Sequence, residues 1–387
     1  MTLTLTSYTL CVGILAANLV MLAFFLLVVR EGRNWLANRL LSLFCLVLAL
    51  VYASDLLATN GVFDRYPVLI GVELLLLYTL GPLYFLYTQA MTRLQFRFRP
   101  GQLLHLLPMA GFALWLVSFK LQALPIQLTY YHAWDSGQQP APFVVAYGPK
   151  LVLLGYLVAV LQRLTQHRRA IREVLAEVEQ KDLRWLKRSL LMLLALFALW
   201  VLINENLLPA LYFGVATLGY SYWLGYYIIR QKAIYTHVAP TVSLDTLNQQ
   251  PSVRYRNSTL TEADKNAWID RVSTCMETRK PFLDKELTLT TLADRLRMSP
   301  NQLSQVLNEG FGENFYTFIN RHRVAESKRL LLDPSLAHFT ILGVAFEAGF
   351  NTKSTFNKAF RDMVGQSPSD YQKTHKREDQ RSENRSV

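Results

Sequence analysis

The sequence predicts an all-α chain in two parts. A seven-helix transmembrane bundle comes first. A cytoplasmic all-α domain follows, with two helix-turn-helix units joined by a linker helix. Three observations lead there. Seven apolar segments of span length fill the first 230 residues. The positive charges of the loops between them fall almost wholly on one side. The polar remainder carries, twice over, a short amphipathic helix, a tight turn and a second helix with a polar outer face.

Of the 387 residues, 51% are hydrophobic. They are concentrated in stretches such as "LVLALVYASDLLA" and "LLMLLALFALWVLI", which have the composition of membrane helices. The expected spans are Tyr8–Val29, Ala37–Ala58, Val68–Met91, Leu103–Phe119, Phe143–Leu161, Ser189–Leu208 and Leu211–Ile229. Each is close to the ~20 residues that a helix needs to cross a bilayer core. Hydrocarbon offers the backbone no partner, so each segment must bond internally as a helix. The first is too long for the apolar core of a cleaved signal peptide, and no Lys or Arg precedes it.

The loops orient the bundle. Arg30, Arg33 and Arg39 lie in loop one. Arg93, Arg97 and Arg99 lie in loop three. Loop five carries Arg163, Arg168, Arg169, Arg172, Lys181, Arg184, Lys187 and Arg188. The odd loops thus hold 14 basic residues, against Arg65 and Lys120 in the even loops, with Lys150 at the edge of the fifth span. Positive loops stay in the cytoplasm. The N-terminus is therefore expected outside, and seven crossings leave the C-terminal domain inside. The net charge of +12 adds little to this. Residues 1–229 hold 17 Lys/Arg and 10 Asp/Glu, and residues 230–387 hold 23 and 18. Most of the excess belongs to membrane topology, so the basic pI is weak evidence for nucleic acid.

Asp55, Glu73, Asn204, Glu205 and Asn206 are polar residues within or beside the spans. Such groups face water or the bundle interior and often mark a functional path. They are candidates for an outward-opening pocket that senses a small molecule or another envelope signal. The plainer reading places Asp55 and Asn204–Asn206 at the outer surface, within reach of water. Cys11, Cys45 and Cys275 are far apart, and the seven histidines show no ligand spacing. No metal site and no cofactor are expected. A nucleotide-binding Gly loop, a kinase motif set and a nucleophile elbow are all missing, so the chain is not expected to be an enzyme. The seventh span has no lysine for a Schiff base, and no pair of broken helices suggests a transporter.

Loop five, "QHRRAIREVLAEVEQKDLRWLKR", consists of good helix formers, with Ile171, Leu175 and Val178 at i, i+4 and i+7. It reads either as a solvated extension of the fifth span or as a packing element that carries signal to the C-terminal domain. Residues 231–261, with two prolines and many Ser, Thr, Asn and Gln, form a cytoplasmic linker. About 25 flexible residues would span ~25–30 Å. Proteolytic release of the C-terminal domain within residues 236–260 stays open.

Residues 262–375 form the second domain. Glu262–Arg279 is expected as one helix. In "LTLTTLADRLRMSPNQLSQVLNEGFG", Leu289, Leu292, Ala293 and Leu296 form an apolar stripe. Ser299 suits the N-cap of the next helix and Pro300 its first position. Leu303, Val306 and Leu307 then point inward, and Asn301, Gln302, Ser304, Gln305 and Asn308 outward. Phe315–Leu332 is a long helix stopped by Asp333–Pro334. "FTILGVAFEAGF" repeats the helix and turn, with Gly349 free to take positive φ and Asn351 as the expected cap. Phe356 and Phe360 share an inward face with Ala359. Lys353, Ser354, Thr355, Asn357, Lys358 and Arg361 cover the rest. Residues 376–387 are polar and expected to be a disordered tail.

These motifs carry a resemblance. From Trp268 to Lys373 the chain resembles the DNA-binding domain of the AraC/XylS family of bacterial transcription regulators. The matching segments are "LTLTTLADRLRMSPNQLSQVLNE", "FINRHRVAESKRLL" and "ILGVAFEAGFNTKSTFNKAFRDMVGQSPSDYQ". The whole chain resembles membrane-bound members with a multi-span sensor at the N-terminus. The resemblance implies two recognition helices, held by the long helix, reading successive major grooves of promoter DNA. Asn301, Gln302, Ser304 and Gln305 would supply the first surface, and Lys353, Ser354, Thr355, Asn357 and Lys358 the second. Arg361, with Arg321 or Arg323, would hold phosphates. It also implies the bacterial inner membrane as location, with lipid, RNA polymerase and a second copy of the chain as partners. Gln305 and Lys358 stand where family members often have Arg, and Leu307 where an aromatic is common. Fewer guanidinium forks imply modest affinity, which pairing of tethered copies would offset. The alternative function is a membrane receptor or transporter whose helical tail docks a protein partner.

Overall fold

The computed structural model describes residues 6–28, 35–92, 96, 98–173, 175, 183–205, 207–230, 262–336 and 338–383. Among them the chain is helical, and the β-pairing is a single isolated bridge. It divides into two compact units, the first of residues 1–165 and 183–233, the second of residues 166–182 and 234–387. The expected linker, Val178 and Asn206 lie outside the described residues.

The first unit has a helix at each of the seven expected spans: α1 (Ser7–Val28), α2 (Trp35–Thr59), α3 (Val72–Thr92), α4 (Leu107–Lys120), α6 (Gly148–Arg172), α7 (Arg184–Asn204) and α8 (Ala210–Arg230). Five stretches are long and apolar enough to cross a membrane: Ser7–Val28, Trp35–Thr59, Pro67–Thr92, Pro100–Lys120 and Trp185–Asn204. Helices α6 and α8 fall outside that set. The arginines at the end of α6 and the Gly and Tyr residues of α8 dilute their apolar character. An unexpected helix, α5 (Leu124–Asp135), fills the connection after α4.

Helix α1 packs on α2 and α8, and α2 on α3. Buried hydroxyls join these helices, while Asn18 Oδ1, Glu73 Oε2 and the Tyr87 hydroxyl are buried without a hydrogen-bond partner. The Ser42 hydroxyl donates to the Ala23 carbonyl at 2.8 Å, tying α2 to α1. Ser189 on α7 bonds Tyr84 of α3 at 3.0 Å and Tyr220 of α8 at 2.8 Å. Tyr78 donates to the carbonyl of Val144 at 2.7 Å.

The second unit is built on six helices: α9 (Glu262–Arg279), α10 (Leu289–Leu296), α11 (Pro300–Gln305), α12 (Phe315–Leu332), α13 (Ile341–Glu347) and α14 (Lys353–Val364). A seventh, α15 (Pro368–Glu383), closes it. The bounds of α9 and α12 are those the sequence predicts. Helix α15 runs past residue 376, where a disordered tail was expected. Its Lys, Arg, Glu and Gln residues are good helix formers, and they extend a helix already anchored by the buried Tyr371.

Loop five also departs from expectation. The helix ends at Arg172, not near Arg188. Ile171 and Leu175 are buried in the second unit, and Leu175 pairs antiparallel with Thr288. The Arg172 guanidinium lies 5.6 Å from the centre of the Tyr316 ring. Ile171 and Leu175 are thus packed, and the backbone at Leu175 takes a bridge instead of a helical turn.

Helix α12 is the axis of the second unit. It contacts α13, α14 and α15 on the side of the second helix-turn-helix. The Asn314 side chain accepts from the Thr317 amide at 2.9 Å and caps its start. Asp333 and Pro334 end it. Val324, Leu330 and Leu331 join Val344, Ala345, Phe350, Phe356 and Phe360 in one core. Such a core fixes α14 against α12.

Candidate nucleic-acid interface

The first helix-turn-helix is shaped by its caps. The Thr288 hydroxyl accepts from the Thr291 amide at 3.2 Å and starts α10. Arg297 takes a left-handed conformation, φ 56°, and turns the chain. The Ser299 hydroxyl accepts from the Gln302 amide at 3.2 Å, and the Gln302 carbonyl oxygen accepts from the Ser299 amide at 2.9 Å. This reciprocal capping box satisfies two otherwise orphaned donors. Pro300 at the first helical position is pre-set for α11. One π-type turn, Val306–Gly310, continues the helix.

These local bonds redistribute the expected reading residues. Asn301 is exposed, while Gln302 is half-buried and engaged in the cap. Ser304 and Gln305 are buried. The Gln305 amide donates to both oxygens of Glu309 at 3.2 Å, and Glu309 pairs with Lys265 of α9 at 3.0 Å. Asn308 donates to the Ser304 carbonyl at 2.8 Å. The first surface is therefore narrower than its sequence implies.

The second helix-turn-helix presents more. Thr340 caps α13, accepting from the Gly343 amide at 3.0 Å. Gly349 has φ +89°, and a Cβ there would overlap the Phe282 carbonyl oxygen and stand 2.8 Å from the Leu283 Cα. Thr352, not Asn351, caps α14: its hydroxyl accepts from the Thr355 amide at 3.1 Å. Asn351 instead donates to the Lys285 carbonyl at 3.0 Å. Gly365, at φ +82°, ends the helix. Phe356 and Phe360 are buried, with ring centres 5.6 Å apart. On the opposite face Lys353, Ser354, Lys358 and Arg361 are exposed, Asn357 is half-buried and Thr355 is buried. Lys358 lies 3.8 Å from Asp362, one turn on.

Neither expected phosphate contact on α12 is freely offered. Arg321 pairs with the Glu313 carboxylate at 3.1 Å. Arg323 is fully buried. It donates to the carbonyls of Phe282 at 2.7 Å and Asp284 at 2.9 Å, and so braces the α9–α10 connection from inside. A guanidinium fork suits two adjacent carbonyls, and burial removes Arg323 from any phosphate.

The candidate sensing residues separate in the same way. Glu73, Asn204 and Glu205 line one cavity of the first unit. Asp55 lies elsewhere and accepts from the Tyr8 hydroxyl. Trp115, Trp134 and Trp200 also line that cavity and were not singled out from the sequence, and α5 falls where loop four was expected.

Two stacked helix-turn-helix units on a shared axis define a class of domain. Residues 292–374 match the family model of a helix-turn-helix domain, a range that takes in α11, α12 and α14. The C-terminal part of the chain is similar to helix-turn-helix domains. Similar proteins include the HTH-type transcriptional regulator Rv1931c of Mycobacterium tuberculosis, 33% identical over 82 residues. Another is the uncharacterized HTH-type transcriptional regulator SACOL0084 of Staphylococcus aureus (strain COL), 26% identical over 102 residues. These alignments cover 21% and 26% of this chain, and 30% and 13% of the two relatives. No solved structure matches the chain.

Proposed function

We propose that the chain is a membrane-anchored, sequence-specific transcription regulator, a one-component sensor that couples a signal at the membrane to gene expression. The observation that carries the reading is α14. Its aromatic face is locked into the core, and its opposite face offers Lys353, Ser354, Lys358 and Arg361 to solvent. That is the arrangement a major-groove helix needs, with polar and basic side chains turned to solvent, where base edges and phosphates would lie. The relatives named as transcriptional regulators support the DNA reading. The five apolar stretches and the loop charges support anchoring in the bacterial inner membrane, with seven spans and the C-terminal domain in the cytoplasm. Promoter DNA and lipid are the partners of this reading, with RNA polymerase and a second copy of the chain.

The test is a mobility shift of the full chain, held in lipid nanodiscs, on the promoter DNA beside its own gene. A shift is expected at ~50 mM salt that weakens steeply as salt rises. Lys353→Ala with Lys358→Ala is expected to weaken it about tenfold or more and to lower the salt slope by about two. No shift at low salt would overturn DNA readout and favour a tail that docks a protein.

A further inference from the structure

We infer that the cavity at the even-loop end of the first unit binds a small monocationic amine with an apolar or aromatic body. The inference rests on the reading of this unit as the sensor and names the chemistry that it senses. The cavity is about 450 Å³, within the ~300–1,000 Å³ of ordinary small-molecule sites. Its lining is drawn from the start of α3, the end of α4, α5, the start of α6 and the end of α7. All of these abut loops two, four and six, the side that the loop charges place outside.

Three features of the lining select a cation. First, Glu73 projects a carboxylate oxygen that is buried and accepts no hydrogen bond. An acceptor in that state costs free energy until a donor arrives, and an ammonium supplies both donor and charge. Second, the walls are aromatic faces. Trp115 stacks on Phe119 at 5.7 Å and 9°, and Trp134 lies 5.5 Å from Phe119. The negative face of such rings attracts cations. The chain's own Lys150 uses this attraction, with its ammonium 5.5 Å from the Tyr147 ring centre and 5.8 Å from that of Trp200. Third, the acids and bases of the lining do not balance. Within the lining Glu73 and Glu205 stand against Lys150, while Lys120 lies close enough to act on Glu73 as well. Lys120, outside the lining, gives its ammonium to the Pro67 carbonyl at 2.6 Å. An anion would meet two carboxylates and the negative faces of the rings. A neutral hydroxyl could donate to the Glu73 oxygen, but without the charge that strengthens the bond from an ammonium.

The experiment uses the full chain in phosphatidylcholine nanodiscs, with tryptophan fluorescence as readout and empty nanodiscs as blank. Three probes share one body and differ in charge: phenethylamine, phenethyl alcohol and phenylacetate. Saturable quenching by phenethylamine is expected, at least tenfold tighter than by the alcohol, with none by phenylacetate. Glu73→Gln is expected to erase the preference for the amine and leave the alcohol unchanged. Glu205→Gln, on an exposed side chain, is expected to weaken the amine by a smaller factor. Equal binding of the three probes, a preference for phenylacetate, or no saturable quenching overturns the amine site. The wild-type series decides this even where Glu73→Gln does not fold. The promoter shift is measured in parallel. An intact shift without amine binding overturns the site and leaves the regulator standing. Amine binding by a chain that shifts no DNA keeps the site and removes the regulator.

Discussion

Arg323 shows how one side chain can change meaning between sequence and structure. An arginine on a domain that faces DNA suggests a phosphate contact. Here it is the largest fully buried side chain, and it serves two backbone carbonyls. Arg323→Leu leaves both without their donor, at about 1–3 kcal/mol each, so a loss of about 2–5 kcal/mol is expected in denaturant unfolding. Arg323→Lys should recover little of it, because an ammonium cannot fork to two carbonyls. The preceding residue gives a pH signature. His322 stacks against Phe282, ring centres 5.5 Å apart. Burial, helped by the neighbouring Arg321 charge, lowers its pKa from 6.5 to about 4. The folded state holds it neutral while the unfolded chain takes a proton, so between pH 6.5 and 4 the unfolded state binds more protons. Stability should therefore be full above about pH 6.5 and fall as pH drops towards 4. His322→Phe should flatten this part of the profile in thermal melts at stepped pH. Ser299 and Pro300 were legible from sequence because cap chemistry is local. The burial of Ser304, Gln305 and Thr355 was not, because it depends on packing and on bonds such as that from Gln305 to Glu309.

At the scale of elements, legibility followed the length and regularity of the pattern. Helices α9 and α12 came out with the bounds their sequences predict, since each is long and has clear stop signals. The start of α14 did not. Asn351 and Thr352 are both competent caps, and the choice falls on Thr352 because the carbonyl of Lys285 takes the Asn351 amide. Helix α5 was invisible because it lies between spans, and loop five lost its helix to the packing of Leu175. Gly349 is the element whose replacement is hardest to accommodate. It combines a positive φ with backbone from the Phe282–Leu283 turn against its α-carbon. Gly349→Ala must strain the turn and push two backbones apart at once. A cost of about 2–4 kcal/mol is expected, with α14 displaced and DNA binding lost in the same preparation. A melt and a mobility shift on one sample check both.

At the scale of the molecule, composition pointed to apolar helices of span length, and loop charge gives the proposed bundle its direction. Neither counts spans: five stretches meet the criterion of length and apolarity, and two helices at expected spans do not. The proposed seven-span orientation has a direct consequence. A cysteine placed at Arg65 should react with a membrane-impermeant maleimide from outside in intact cells. One placed at Arg169 should react only after permeabilisation. The opposite pattern would put α14 on the wrong side of the membrane for DNA and remove the proposed function with it.

The two reading surfaces are unlike each other. Around α11 the offered group is the uncharged Asn301, whereas α14 offers two lysines and an arginine. On the proposed function, a single chain laid along a promoter would have a head and a tail. Its site would then be a word with a direction, not a palindrome, and the chain would face one way with respect to the start of transcription. Inverting the site in place, with its distance to the start kept, should change the output of a reporter gene while leaving affinity for the site untouched.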